Sequence, residues 1–240
     1  MMFSRAPILL IALITVTTAL RGSVPIDIRA GHGVNRIAIK LLKEAEEQLK
    51  TGDVEKAQHS IDAALRSDPT FWPALYTRAK VFYYKHKCEL AVKDCDEALR
   101  QNRTFIEAAL LRAGANACLG KYAEALKEIN HCISLHPRSD AYARALSNRA
   151  RIRATCPDPT FRDGKAAVKD ALNACKLMDW QDEISLNVLS MAYAEVGDFN
   201  SAVRYAEQAL TTKEISPVSS KKIQRHLALF RQHQPIRSSW

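Results

Sequence analysis

Alanines recur in this chain in two fixed phases, Ala45, Ala79 and Ala113 in one and Ala57, Ala91 and Ala125 in the other, each 34 residues from the last. A period of that length marks a repeated supersecondary unit. Every period divides in the same way. In the first, Leu41, Ala45 and Leu49 keep helical spacing up to Thr51-Gly52-Asp53, and Ala57, Ile61 and Ala64 resume it until Asp68-Pro69. In the second, Leu75, Ala79 and Phe82 lead to a turn at His86-Lys87, followed by Ala91, Cys95, Ala98 and Phe105. In the third, Ala109, Ala113 and Asn116 lead to Gly120-Lys121-Tyr122, followed by Ala125, Ile129, Cys132 and Pro137. The clearest copy is the last, Leu186 to Leu210, broken only at Gly197-Asp198. Each unit is therefore two helices joined by a tight turn. A side chain as small as alanine lets two antiparallel helices approach closely. A lone helix pair cannot bury both its faces, so each unit needs neighbours of its own kind.

These residues resemble the tetratricopeptide repeat family: Gly-Asp or Gly-Lys in the turn, a small residue in the first helix, alanines in the second, and Asp-Pro or His-Pro at its end. Proline there lacks an amide donor and stops the helix, so the next copy starts afresh. The resemblance implies an all-α fold, a right-handed α-solenoid of tandem antiparallel helix pairs with about five repeats and a C-terminal capping helix. The boundaries are 38–71, 72–105, 106–139, 143–179 and 183–212, with the cap and a loose tail over 213–240. The fourth copy departs from the register. Arg149-Ala150 matches Arg78-Ala79 and Arg112-Ala113, but Cys156 is followed by P-D-P-T-F-R-D-G before the second helix resumes. The segment A-T-C-P-D-P-T-F-R-D-G-K-A-A-V is similar to one in exported bacterial tetratricopeptide proteins. Its Asp158, Arg162 and Asp163 could form a contact loop, although an internal salt bridge between Arg162 and a neighbouring acid is the simpler expectation. In the cap, Ile223, Leu227 and Phe230 lie on one side, while Lys221, Lys222 and Arg225 are expected to face water.

Residues 6–20, A-P-I-L-L-I-A-L-I-T-V-T-T-A-L, form an apolar run of 15 residues between Arg5 and Arg21. That suits a secretory signal and falls short of the roughly 20 residues of a spanning helix. The expectation is a signal peptide over 1–20, with cleavage after Ala19 or, less well, Ala30, then a linker over 21–37. The protein would then be exported to a periplasmic or extracellular space; an uncleaved membrane anchor is the alternative. Export would carry six cysteines, at 88, 95, 118, 132, 156 and 175, into an oxidising compartment. No C-x-x-C is present. Cys88 opens one helix and Cys118 closes another that should pack against it, which would allow a disulfide, but separate thiols are the commoner outcome for such a pair.

The net charge of +9 sits mainly in the two ends, since residues 38–212 hold 25 Lys and Arg against 24 Asp and Glu. A folded basic face, as a nucleic-acid binder would need, is not expected. Neither H-E-x-x-H, G-x-S-x-G nor a phosphate-cradling glycine loop accompanies the seven histidines. His131, Cys132 and His136 read as a core cysteine beside two surface histidines. No enzyme activity, metal or cofactor is expected.

The resemblance implies instead a concave face lined by first helices, which holds an extended peptide or another protein. In this register the face includes Leu42, Glu46, Lys50, Tyr76, Lys80, Tyr83, Tyr84, Leu110 and Gly114, then Arg144, Ser147, Asn148, Arg151, Asn187 and Met191. Lys50, Tyr76, Lys80, Tyr83, Tyr84, Arg144, Asn148, Arg151 and Asn187 are the candidate contacts, because rings give area at low entropy cost and cations hold carboxylates. The Lys and Asn clamp by which some relatives hold chaperone tails is not carried over, because Leu42, Glu46 and Glu107 occupy its positions. A structural or assembly subunit of a cell-envelope complex is the second reading, with membrane contact only if the N-terminal helix is uncleaved.

Overall fold

The structure, a computed structural model, describes residues 35–213 and 215–237, so the expected signal peptide and nearly all of the linker lie outside the described residues. Eleven α-helices and one short 3-10 helix occupy the described residues, without a strand among them. The chain divides into two compact units, Met1–Leu111 and Arg112–Trp240.

In the first unit, α1 (Arg36–Thr51) and α2 (Val54–Ser67) form one pair, and α3 (Trp72–Tyr84) and α4 (Cys88–Gln101) the next. The helix begins two residues before the first periodic alanine because Asn35 caps it. Its carboxamide oxygen accepts from the Ile37 and Ala38 amides at 3.0 and 3.2 Å, and its nitrogen donates to the Ser67 carbonyl at 2.8 Å, tying the start of α1 to the end of α2. Ala38, Leu42, Ala45 and Leu49 are buried along one stripe of α1, facing Val54, Ala57, Ile61 and Ala64 of α2. Leu42 is fully enclosed and is therefore core, not part of a binding face as its register suggested. Leu110 and Gly114 are likewise buried.

The α1 turn closes on Gly52 at φ 91°, whereas the matching turn after α3 closes on His86 at φ 55°. A residue with a β-carbon is strained in that left-handed region. The turns at Gly120 and Gly197 return to glycine, at φ 76° and 82°.

The second unit contains the end of α5 (Ile106–Cys118), then α6 (Tyr122–Ser134), α7 (Ser139–Thr155), α8 (Gly164–Leu177), α9 (Glu183–Glu195), α10 (Phe199–Leu210) and α11 (Pro217–Arg231). Helices α7 and α8 pair, α9 and α10 pair, α7 packs on α9, and α11 closes over α10 and α9. Ile223, Leu227 and Phe230 are buried as the apolar stripe of α11 predicts. Residues 232–237 are not a loose tail. Ile236 is 6% exposed in the core beside Phe230, and Arg237 pairs with Glu195 at 2.6 Å.

The long turn after α7 is pinned at three points. Arg162 donates to the carbonyls of Cys156 and Pro157 at 2.8 and 3.0 Å and pairs with Glu195 on α9 at 3.2 Å. Asp163 caps α8 through the Ala166 amide at 3.0 Å. At Gly164 a β-carbon would stand 2.7 Å from Val196 Cγ1, so only glycine lets α8 start this close to the end of α9. Arg162 thus makes an internal bridge, but to Glu195 on α9 rather than to a neighbouring acid as expected.

Cys88 and Cys118 are disulfide-bonded, which corrects the expectation of separate thiols; each stands at a helix end. Cys132 and Cys175 are buried thiols whose pKa values desolvation pushes up to about 11 and about 12. Cys132 is core while His131 and His136 are exposed.

Candidate functional site

The first helices of successive pairs share a face in each unit. In the first unit α1 and α3 bring Glu46 and Lys80 within electrostatic reach of each other. Burial raises the Glu46 pKa, and the charges of Lys80, Lys50 and Lys43 act against that rise. The Lys80 ammonium stands 5.0 Å from the centre of the Tyr76 ring, a cation–π arrangement, with Lys80 itself 9% exposed. Tyr76 also meets Phe105 edge-on at 4.8 Å, so its ring is mostly packing. Tyr83 and Tyr84 are half-buried with centroids 5.7 Å apart. Lys50 is exposed and paired with Glu47 at 2.6 Å.

In the second unit, Arg144 is exposed and Asn148 and Arg151 are half-buried on α7. Asn187 on α9 is 9% exposed, because α11 lies over it. Its carboxamide oxygen is 2.9 Å from His226 Nδ1. An oxygen there can only accept, so Nδ1 carries the proton and Nε2 has the lone pair. Burial and then the charges of Lys222 and Arg151 lower the His226 pKa to about 4, which leaves the ring neutral at pH 7. Lys222 falls to about 8 through desolvation and the charge of Arg151. Lys222 is nevertheless an exposed residue. Four side chains, Arg151, Asn187, Lys222 and His226, are thus gathered from three helices. Two of them, Lys222 and His226, were missed as site residues. His226 had a readable signal, since it falls within the Ile223, Leu227, Phe230 stripe at helical spacing.

A second pattern is structural. Arg78 on α3 clasps Asp94 on α4 with two bonds of 2.7 and 2.9 Å and reaches Asp62 on α2 at 3.1 Å. Arg149 on α7 does the same to Asp170 on α8, at 2.7 and 2.8 Å, and to Asn130 on α6 at 2.8 Å. Arg112 pairs with Glu128 at the equivalent place. The Arg-Ala dipeptide of the second, third and fourth copies is therefore a clasp between the helices of a pair. The recess of about 400 Å³ lined by Asp62, Leu65, Arg66, Pro69, Leu75 and Arg78 surrounds this clasp.

Comparison with known proteins follows this geometry. Residues 185–215 match the tetratricopeptide repeat model. The chain is 28% identical over 144 residues to a tetratricopeptide repeat and J domain-containing co-chaperone of Cryptococcus neoformans, an alignment covering 60% of this chain. It spans only 25% of the length of that relative. Among solved structures, a thermophilic tetratricopeptide protein of Thermus thermophilus superposes with a TM-score of 0.67 at 17% identity, over 80% of this chain and 100% of that one. A chain of the APC/C Cut9–Hcn1 hetero-tetramer superposes with a TM-score of 0.67 at 18% identity, over 82% of this chain and 36% of its own. The fold is that of tandem tetratricopeptide-type helix pairs, an all-α solenoid class. Scaffolds of this kind generally mediate interactions between proteins. Among the described residues no group of three or more His, Cys, Asp or Glu could hold a metal ion, and no helix is long and apolar enough to cross a membrane.

Proposed function

We propose that this protein is a non-catalytic adaptor that holds another protein or an extended peptide on the first-helix face of its units, in an exported compartment. The observation that carries the reading is the character of those faces within a repeat fold. Tyrosines and charged groups stand there half-buried, at Tyr83, Tyr84 and Arg151, so part of each is presented and part is fixed. Fixed rings and cations lose little freedom when a ligand arrives. The alanine core and the arginine clasps lie between the helices of the pairs and serve the fold.

Export is supported by the apolar run of residues 6–20, by the resemblance of residues 154–168 to exported bacterial proteins, and by the disulfide-bonded Cys88 and Cys118. The test is crosslinking in the native host with a photoreactive side chain at Tyr83 or at Lys93, an exposed position on the second helix α4. One partner should be captured from Tyr83 and not from Lys93, in the fraction outside the cytoplasm. Capture from Lys93 alone would contradict the reading.

A further inference from the structure

We infer that the recess between α2 and α3 binds a small apolar zwitterion, a free amino acid or a dipeptide. Its ammonium sits on Asp62, its carboxylate on Arg66, and its side chain against Leu65, Pro69 and Leu75. These residues line the recess of about 400 Å³ together with Arg78. Leu65 and Leu75 are 7% and 4% exposed and form its inner wall, while Arg66 and Pro69 stand exposed at its rim.

The recess carries more charge than the clasp beside it requires. Arg78 gives Asp94 two bonds, of 2.7 and 2.9 Å, so those two charges satisfy each other. Asp62 takes a single bond from Arg78, at 3.1 Å through Oδ1, and its side chain is 36% exposed. At the matching place in the Arg149 clasp stands Asn130, which accepts from Arg149 Nη1 at 2.8 Å. A neutral acceptor therefore completes a clasp, and the negative charge of Asp62 is surplus to it.

Arg66 supplies the opposite charge. Among the described residues its side chain has no acid and no hydrogen-bond partner, although Asp62 lies one turn away on the same helix. Its counterparts 34 and 68 residues further on are Arg100, which is tied to Glu97, and Ser134, which is uncharged. The first copy thus combines an apolar recess with one spare charge of each sign.

That combination selects the ligand. A simple anion would meet Asp62 and a simple cation would meet Arg66, whereas a zwitterion satisfies both. Small-ligand sites join apolar walls to a few placed polar groups in this way. Residues at i and i+4 of a helix hold their β-carbons about 6 Å apart, a spacing that a short molecule with both ends charged can bridge.

The experiment is titration calorimetry of the full chain with leucine and with leucyl-leucine, and the tighter of the two names the source. The N-acetylated and amidated forms of that ligand lack the ammonium and the carboxylate in turn, and glycine or glycyl-glycine lacks the side chain. Each should bind about tenfold or more weakly. Asp62→Asn should bring the affinity of the zwitterion down to that of the N-acetylated form, and Arg66→Gln down to that of the amidated form. Neither variant should move the urea midpoint, because an amide completes a clasp at Asn130 and the Arg66 side chain holds nothing in the fold. A purely structural pair would behave in the reverse way.

The proposal is overturned if neither leucine nor leucyl-leucine binds at millimolar concentration, if removing the ammonium or the carboxylate leaves affinity unchanged, or if either variant binds as the parent does. It is also overturned if Asp62→Asn lowers the urea midpoint, which would return that charge to the clasp. Tyr83 takes no part in this site, so the result stands apart from the adaptor role.

Discussion

The first-helix faces of the two units handle charge in opposite ways. In the first, Lys80 has the Glu46 carboxylate and the Tyr76 ring for company. In the second, the positive charge of Arg151 acts on Lys222, and both act on the buried, neutral His226. The cause is the closing helix. Helix α11 covers Asn187 and brings a lysine and a histidine onto a face that first helices alone would leave to Arg151. The difference teaches that a repeat array changes its surface chemistry most where a non-repeat element joins it.

The sharpest way to break this comparison is to remove the anchor of α11. Phe230 is fully buried, so Phe230→Ala should cost about 3–5 kcal/mol, read by chemical denaturation. His226 should lose its depressed pKa in the same variant. A variant that unfolds no more easily, or in which His226 still titrates near 4, would mean that Phe230 does not hold α11 over His226 and Asn187.

Acid should act on the second unit through His226. Its folded pKa of about 4 lies below the unfolded value of 6.5, so the unfolded chain takes up the proton first. Stability from this group is constant above pH 6.5, declines as pH falls from 6.5 to 4, and levels off below. The full loss is on the order of 3 kcal/mol. Subtracting the pH dependence of His226→Gln isolates it. An unchanged profile in that variant would mean that His226 is not buried against Asn187.

A smaller effect tests the pinned turn. Gly164→Ala should cost about 1–3 kcal/mol, because its β-carbon meets Val196 at 2.7 Å and the helix starts must separate. Thermal unfolding would show it, and no change would mean the turn is looser than its Arg162–Glu195 pair implies. The smallest effect belongs to the first unit. His86→Gly should stabilise by up to about 1 kcal/mol, since glycine accepts φ 55° without strain and the other short turns already use it.

Much of the fold was legible because its cause is local. Alanine phase, turn glycines and prolines act within one helix pair, so the pairs, their order and the stripe of α11 could be read directly. Pairings across long sequence distance were not legible. Arg162 had several acids near it in sequence, yet its partner is Glu195 on a later helix. Ile236 stands alone among Pro, Gln and Arg, and only the presence of a core beneath it makes it buried. Repeat register also misjudged depth: it set Leu42, Leu110 and Gly114 on a face that the packing closes. Of the candidate contacts, Arg151 and Asn187 are drawn into one cluster, but the helix that completes it lies outside the repeat pattern from which they were chosen.

The central claim is that partner binding uses the first-helix faces, and the most direct measurement is the affinity of the captured partner for Tyr83→Ala, Arg151→Ala and Lys93→Ala chains. Loss of about tenfold or more in either of the first two, with Lys93→Ala unchanged, is the predicted result. Unchanged affinity in Tyr83→Ala and Arg151→Ala with loss in Lys93→Ala would contradict it.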